Sequence, residues 1–330
     1  LGVGGMQLFV AEVPGPTKDK IHPRIKETAK RLWGIYVMFT MLEAVLLTIG
    51  GMTFFDAICH SFTTMATGGF STKQASIAHF DSPFIHYVII FFMFLAGTNF
   101  SLHYYWLHRK FENIVKNEEF KFFLILITGM ALFVTGGLLL INFGGFEESF
   151  RTALFQVVSI ITTTGFITSD YEIWGTFYQI LFFVLLFTGG SAGSTGGGIK
   201  MVRLHLLLKN SLLEFRRLVH PRAVIPVRYN GKSVPPDIMS NVLAFFLLYV
   251  LIFITGTLVM GMMGLDFMTS LGSVATSLGN VGPGIGEVGP SKNFAFLPDA
   301  GKWFLSLLML MGRLELFTVL IIFSPALWKS

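Results

Sequence analysis

Six apolar stretches, each long enough to cross a bilayer as a helix, limit what this chain can fold into. They run at about 29–50, 83–107, 120–142, 173–190, 237–263 and 302–325. A helix needs about 20 residues to span roughly 30 Å of hydrocarbon. In lipid each backbone N–H and C=O must be satisfied within its own segment, so such stretches become helices. Between the members of each successive pair lies a shorter apolar stretch, at 54–66, 149–161 and 267–278. Stretches that short cannot cross; they are expected to enter from one side and turn back. The chain is 13% charged, about half the share of a soluble domain. The expectation is an all-α integral membrane protein.

Charge sets the orientation. All but five of the 24 Lys and Arg residues fall in 14–31, 107–121, 200–232 and the C-terminal tail. The exceptions are Lys73, Arg151, Lys292, Lys302 and Arg313. By the positive-inside rule the basic loops are cytoplasmic, so all three re-entrant stretches open to the outside. The net charge of +5 therefore reflects topology, and nucleic acid is excluded as a partner. The basic run Arg216-Arg217-Leu218-Val219-His220-Pro221-Arg222 suits anionic lipid head groups. The opening Leu-Gly-Val-Gly-Gly-Met reads as the interior of a longer sequence, a fragment with material missing before Leu1, and not as a signal peptide. The lone cysteine, Cys59, excludes an internal disulfide.

The re-entrant stretches repeat. Without gaps, 57–70 lies over 153–166, so that Ala57 meets Ala153, Thr67 meets Thr163, Gly69 meets Gly165 and Phe70 meets Phe166. In the same frame the third stretch ends Asn280-Val281-Gly282-Pro283, with Gly282 at the glycine position. A cation filter requires this pattern. A potassium ion sheds its water only if protein oxygens replace it, and backbone carbonyls do so without a full negative charge. Turning successive carbonyls the same way calls for backbone angles that glycine adopts readily. A short helix ending before the turn directs its negative dipole end at the ion. The filter candidates are Ala66, Thr67, Gly68 and Gly69; Thr162, Thr163, Thr164 and Gly165; and Asn280, Val281 and Gly282.

These motifs resemble a known family. Met65-Ala66-Thr67-Gly68-Gly69-Phe70-Ser71-Thr72, Thr162-Thr163-Thr164-Gly165-Phe166, Ser191 to Lys200, Ser277-Leu278-Gly279-Asn280-Val281-Gly282-Pro283-Gly284 and Gly312-Arg313-Leu314-Glu315 are similar to the TrkH potassium-uptake family. That family sits in the wider superfamily of KtrB and the plant and fungal HKT/Trk proteins. The resemblance runs essentially from end to end. It implies helix–pore loop–helix units arranged pseudo-fourfold around one pore, in the plasma membrane (the bacterial inner membrane). It also implies a homodimer, a cytosolic nucleotide-binding regulatory subunit of the TrkA type, and potassium held in the filter with no covalent cofactor. On this reading 1–13 is the tail of a truncated first unit, and 28–111, 119–218 and 236–328 are the second, third and fourth units.

A glycine-rich intramembrane loop at 187–200 interrupts the third unit. Gly189, Gly190, Gly193, Gly196, Gly197 and Gly198 cannot hold a helix when each costs about 1 kcal/mol relative to alanine. A phosphate-cradling loop fails on detail, because Gly198 is followed by Ile199 rather than lysine, and Met201 is not Ser or Thr. A structural kink is the plain alternative. The sharper expectation, shared with the resembling family, is a loop under the filter that gates ion exit. Arg313, near the middle of the last stretch, is costly at that depth. It is expected to donate to the glycine-loop carbonyls or to stand in the pore as a barrier, with Glu315 a poor direct partner. Asp170 and Glu172 read as solvated loop charges, or as attractors of cations at the pore mouth. Glu43, within a span, is expected to pair with a neighbouring helix. The eight histidines lack metal-ligand spacing, and no paired carboxylate or nucleophile–base set suggests an enzyme. The alternative function is an ion-coupled secondary transporter, moving potassium with protons or sodium, whose broken helices bind substrate at mid-membrane.

Overall fold

The structure is a computed structural model, and residues 25–321 are described. The tail expected at 1–13 and the last residues of 236–328 lie outside the described residues. Among the described residues, three helices are long and apolar enough to cross a membrane: α1 (Ile25–Ile49), α6 (Glu118–Leu140) and α10 (Pro236–Met262). Each leads into a short helix: α2 (Phe54–Met65), α7 (Phe146–Ile161) and α11 (Phe267–Gly279). Local chemistry fixes these starts. Thr53 caps α2 by accepting from the Asp56 amide, and Asp266 caps α11 by accepting from the Thr269 amide. Asn117 accepts from the Phe120 amide ahead of α6, and Pro236 opens α10 where a missing N–H is harmless.

The second helix of each unit is broken; the break at the glycine loop is the expected one, and the other two depart from expectation. The stretches at 83–107, 173–190 and 302–325 are not single spans. The first is α3 (Pro83–Gly97) and α4 (Phe100–Leu107), bent by 105° at Thr98-Asn99. The second is α8 (Thr176–Leu185), which ends at the glycine loop before α9 (Met201–Val219) begins. The third is α12 (Asp299–Arg313), followed after Leu314-Glu315 by α13 (Leu316–Leu320). Glu315, at φ +67°, redirects the chain there. Averaged hydropathy stays apolar across the breaks at Thr98-Asn99 and Leu314-Glu315, so it reads them as continuous, whereas the glycine run marks the second break.

The core lies between α3, α6, α7 and α8. Phe92, Phe123, Phe155 and Phe182 are fully buried there. Outward faces carry exposed Phe133, Leu140, Leu247 and Leu258, the apolar belt that lipid demands. Two cytoplasmic elements complete the picture. α5 (Phe111–Val115) precedes α6, and a hairpin pairs β1 (Arg228–Tyr229) with β2 (Lys232–Ser233). Its turn, Asn230-Gly231, has both residues at positive φ, 49° and 75°, as a tight hairpin turn requires.

Candidate ion pathway

The three short helices end alike. The residue two places before each repeated glycine adopts a left-handed conformation: Thr67 (φ 49°), Thr163 (φ 59°) and Asn280 (φ 56°). Each glycine follows with positive φ: Gly69 (66°), Gly165 (84°) and Gly282 (114°). The first departure is costly for a residue that bears a side chain, and helix-end bonds hold it. Gly68 N–H donates to Thr63 O at 2.7 Å, Thr164 N–H to Ser159 O at 2.9 Å and Val281 N–H to Thr276 O at 3.0 Å. The Thr63 and Ser159 hydroxyls donate to Phe70 O and Phe166 O, at 2.8 and 2.7 Å. The amides of the turns are thus turned back to their own helices. Among the described residues, the carbonyls of Thr163, Thr164, Gly165, Val281 and Gly282 accept no hydrogen bond from the protein.

The turns also meet. A Cβ on Gly69 would lie 2.0 Å from Thr164 O, and one on Gly165 would lie 1.8 Å from Val281 O. Each carbonyl contacts the glycine of the preceding unit, which leaves no room for any side chain. Between the first turn and the third opens a cavity of about 460 Å³, lined by Ala66, Thr67, Gly68, Asn280, Gly282 and Arg313 among others. Thr162, Thr163, Thr164 and Gly165 lie at the buried middle turn.

The glycine loop lies against the helix ends that carry these turns. The Thr67 hydroxyl donates to Thr195 O at 2.8 Å, and Gly197 N–H donates to the Thr163 hydroxyl at 2.7 Å. A Cβ on Gly197 would press on Asn280 Cβ at 2.8 Å, one on Gly196 on Thr162 O at 3.1 Å, and one on Gly198 on Gly279 O at 3.3 Å. The bend at Thr98-Asn99 receives the other face of the loop. Ser191 N–H donates to Gly97 O (2.8 Å), Thr195 N–H to Ala96 O (3.2 Å), and Phe100 N–H to Gly193 O (3.1 Å). Gly190 fits against Gly97, and Gly189 against the Gly197 carbonyl. The broken α3–α4 helix therefore has a cause: its freed carbonyls and amides are the loop's partners.

Arg313 does not donate to the glycine-loop carbonyls, the first of its two expected placements. It donates to Ala66 O at 3.3 Å, at the end of α2, and lines the cavity. Lys200, buried at the end of the loop, donates to the glycine-loop carbonyl of Gly196. Glu315 pairs instead with Arg203 at 2.6 Å, and the Arg203 guanidinium stacks over Phe245 at 3.7 Å. Glu172 is half-buried and accepts from Gly286 N–H at 2.7 Å. It ties two outer loops together, and burial raises its carboxyl above the usual range. Tyr171 OH makes the parallel tie to Gly284 O at 2.6 Å. Glu43 is fully buried, and neither carboxyl oxygen has a hydrogen-bond partner among the described residues. Among the described residues no cluster of three or more metal-ligating side chains occurs.

Comparison with known proteins accords with this geometry. The family described as "TrkH: Cation transport protein" matches residues 1–330. The Trk system potassium uptake protein TrkH of Halomonas elongata is 43% identical over 334 residues, covering 100% of this chain and 68% of that protein. The protein of the same name from Escherichia coli K12 is also 43% identical, over 333 residues, with the same coverage. The crystal structure of the potassium transporter TrkH from Vibrio parahaemolyticus superposes with a TM-score of 0.90 at 40% identity. That match covers 97% of this chain and 69% of that one. The chain is a member of the TrkH family of cation transport proteins.

Proposed function

We propose that the chain carries potassium inward across the plasma membrane, the inner membrane of a bacterium, through a filter of backbone carbonyls. In this reading potassium is held at Ala66–Gly69, Thr162–Gly165 and Asn280–Gly282. The loop containing Gly189, Gly190, Gly193, Gly196, Gly197 and Gly198 is the gate, with Arg313 at the cavity below Ala66. The relatives are potassium uptake proteins by name, which supports the choice of ion. One observation carries the mechanism: three turns in contact, with amides bonded back to their helices and carbonyls left without protein donors. Such oxygens can replace water around a monovalent cation. The membrane potential then contributes about 2.3 kcal/mol per charge per 100 mV toward entry.

The relatives belong to a named uptake system, so the function is one part of an assembly. A homodimer and a cytosolic nucleotide-binding subunit of the TrkA type are the proposed partners. Exposed Leu212, Phe215, Leu218 and Val219 on α9, beside Arg216 and Arg217, offer apolar and basic surface for such contacts. Ion-coupled transport is the second reading, favoured by the three broken second helices. Uptake of rubidium against sodium by proteoliposomes holding the full-length protein tests the first. Preference for rubidium at fixed voltage supports it, whereas equal uptake contradicts it. A steep dependence on a proton gradient at that voltage would favour the second.

A further inference from the structure

The glycine loop is closed at its neck by a bond from Met201 N–H to Gly190 O at 3.0 Å. Across that neck lies a side chain from another helix. Glu119, in the first turn of α6 and 3% exposed, accepts from Ala192 N–H at 2.7 Å and from Val202 N–H at 3.1 Å. Both bonds end on the same oxygen, Oε1. Ala192 lies inside the loop. Val202 is in the first turn of α9, where helix amides lack intrahelical partners and an acidic group is favoured. One carboxyl oxygen thus holds the loop and the helix that follows it at a fixed separation. Hydrogen bonds to a carboxylate are the stronger kind.

The start of α6 is fixed in turn from the cytoplasmic side. Glu118 N–H donates to Asn230 Oδ1, in the turn of the β hairpin, at 2.9 Å. Lys209 of α9 bonds the Glu118 carboxylate and also donates to Arg228 O at 3.0 Å. Glu119 therefore sits where a hairpin outside the membrane and the loop inside it are joined by consecutive residues of one helix.

We infer that Glu119 is the positioning residue that latches the glycine loop shut, and that the loop cannot leave the helix ends of the filter turns until the bonds from Ala192 and Val202 are broken. The inference rests on the gate reading of the loop. It requires no contact between Glu119 and the ion, so removing the side chain changes how often the loop opens and not which ion passes.

The test uses full-length protein with Glu119→Ala, Glu119→Gln and, in parallel, a deletion of Gly196 and Gly197. Amide exchange at Ala192 and Val202 and rubidium influx into proteoliposomes are read together. Glu119→Ala should speed exchange at both amides about tenfold or more, as the loss of bonds to a charged group implies. It should also raise influx several-fold with an unchanged rubidium-to-sodium ratio. Glu119→Gln, whose neutral side-chain carbonyl can accept both bonds but more weakly, should fall between wild type and Glu119→Ala. If Glu119→Ala yields no folded protein, Glu119→Asp, one methylene shorter, is read the same way. Unchanged exchange overturns the latch. Faster exchange with unchanged influx also overturns it when the deletion raises influx, and the gate reading then survives. Unchanged influx in the deletion itself overturns the gate reading and the latch together.

Discussion

A methyl group on Gly165 would stand 1.8 Å from the Val281 carbonyl, and no side-chain movement relieves a clash with backbone. The residue also holds φ at +84°. Gly165→Ala is therefore expected to reduce rubidium uptake to background, while Gly129→Ala, which meets nothing within 4 Å, retains it. Loss of uptake in both would place the effect in expression or folding, and uptake retained in both would contradict the packing of the turns. Asp56 provides a pH-dependent case at the outer end of α2. A hydrogen bond from Thr72, with others from Thr53 and Lys73, holds its carboxyl below the usual range. A lowered folded value means that its stabilisation is complete above the ordinary value, about 3.9. It is lost as pH falls through the lower folded value. Asp56→Asn should cost about 1.5–3 kcal/mol near neutral pH, as bonds to a charged group do, with the gap from wild type closing in acid. Melting curves across pH check this, and a gap independent of pH would contradict it.

At the scale of elements, the bend between α3 and α4 connects the fold to the loop. Asn99 caps α4 by accepting from Ser101 N–H at 2.8 Å, and it packs against Gly193. Asn99→Ala should lower stability by about 1 kcal/mol through the lost cap, measured as a fall in melting temperature. No fall would show that the bend is held by the loop alone. This element also marks where sequence reading stops. The three short helices and their Thr/Asn-x-Gly turns were legible because each repeats the same residues at the same spacing. The breaks at Thr98-Asn99 and Leu314-Glu315 were not, because apolar character continues through them and their cause lies in partners nearly 100 residues away. Lys200 stands at the end of the glycine run, and nothing in the sequence singles out Glu119. Their roles follow from packing across elements, to which local pattern is blind. Arg313 was found by its depth, but its partner, Ala66, lies 247 positions away and no spacing rule reaches that far.

At the scale of the molecule, the repeated turns, the loop beneath them and the cytoplasmic hairpin form one connected path. The turns bear on one another through glycine and carbonyl. The loop binds the ends of α2 and α7 through Thr67 and Thr163 and presses on the end of α11. Outer ties at Tyr171 and Glu172 hold the loop after α7 to the loop after α11. In the function proposed, a path built this way lets the turns stay fixed while the loop beneath them moves. The fixed turns are bonded to their own helices, whereas the loop is held by bonds scattered over several different elements. The central claim is that the carbonyls of these turns hold the transported ion. Rubidium soaked into crystals of the full-length protein measures this directly by anomalous scattering. Density is predicted among the carbonyls of Thr163, Thr164, Gly165, Val281 and Gly282; density only elsewhere, or none between the turns, would contradict it.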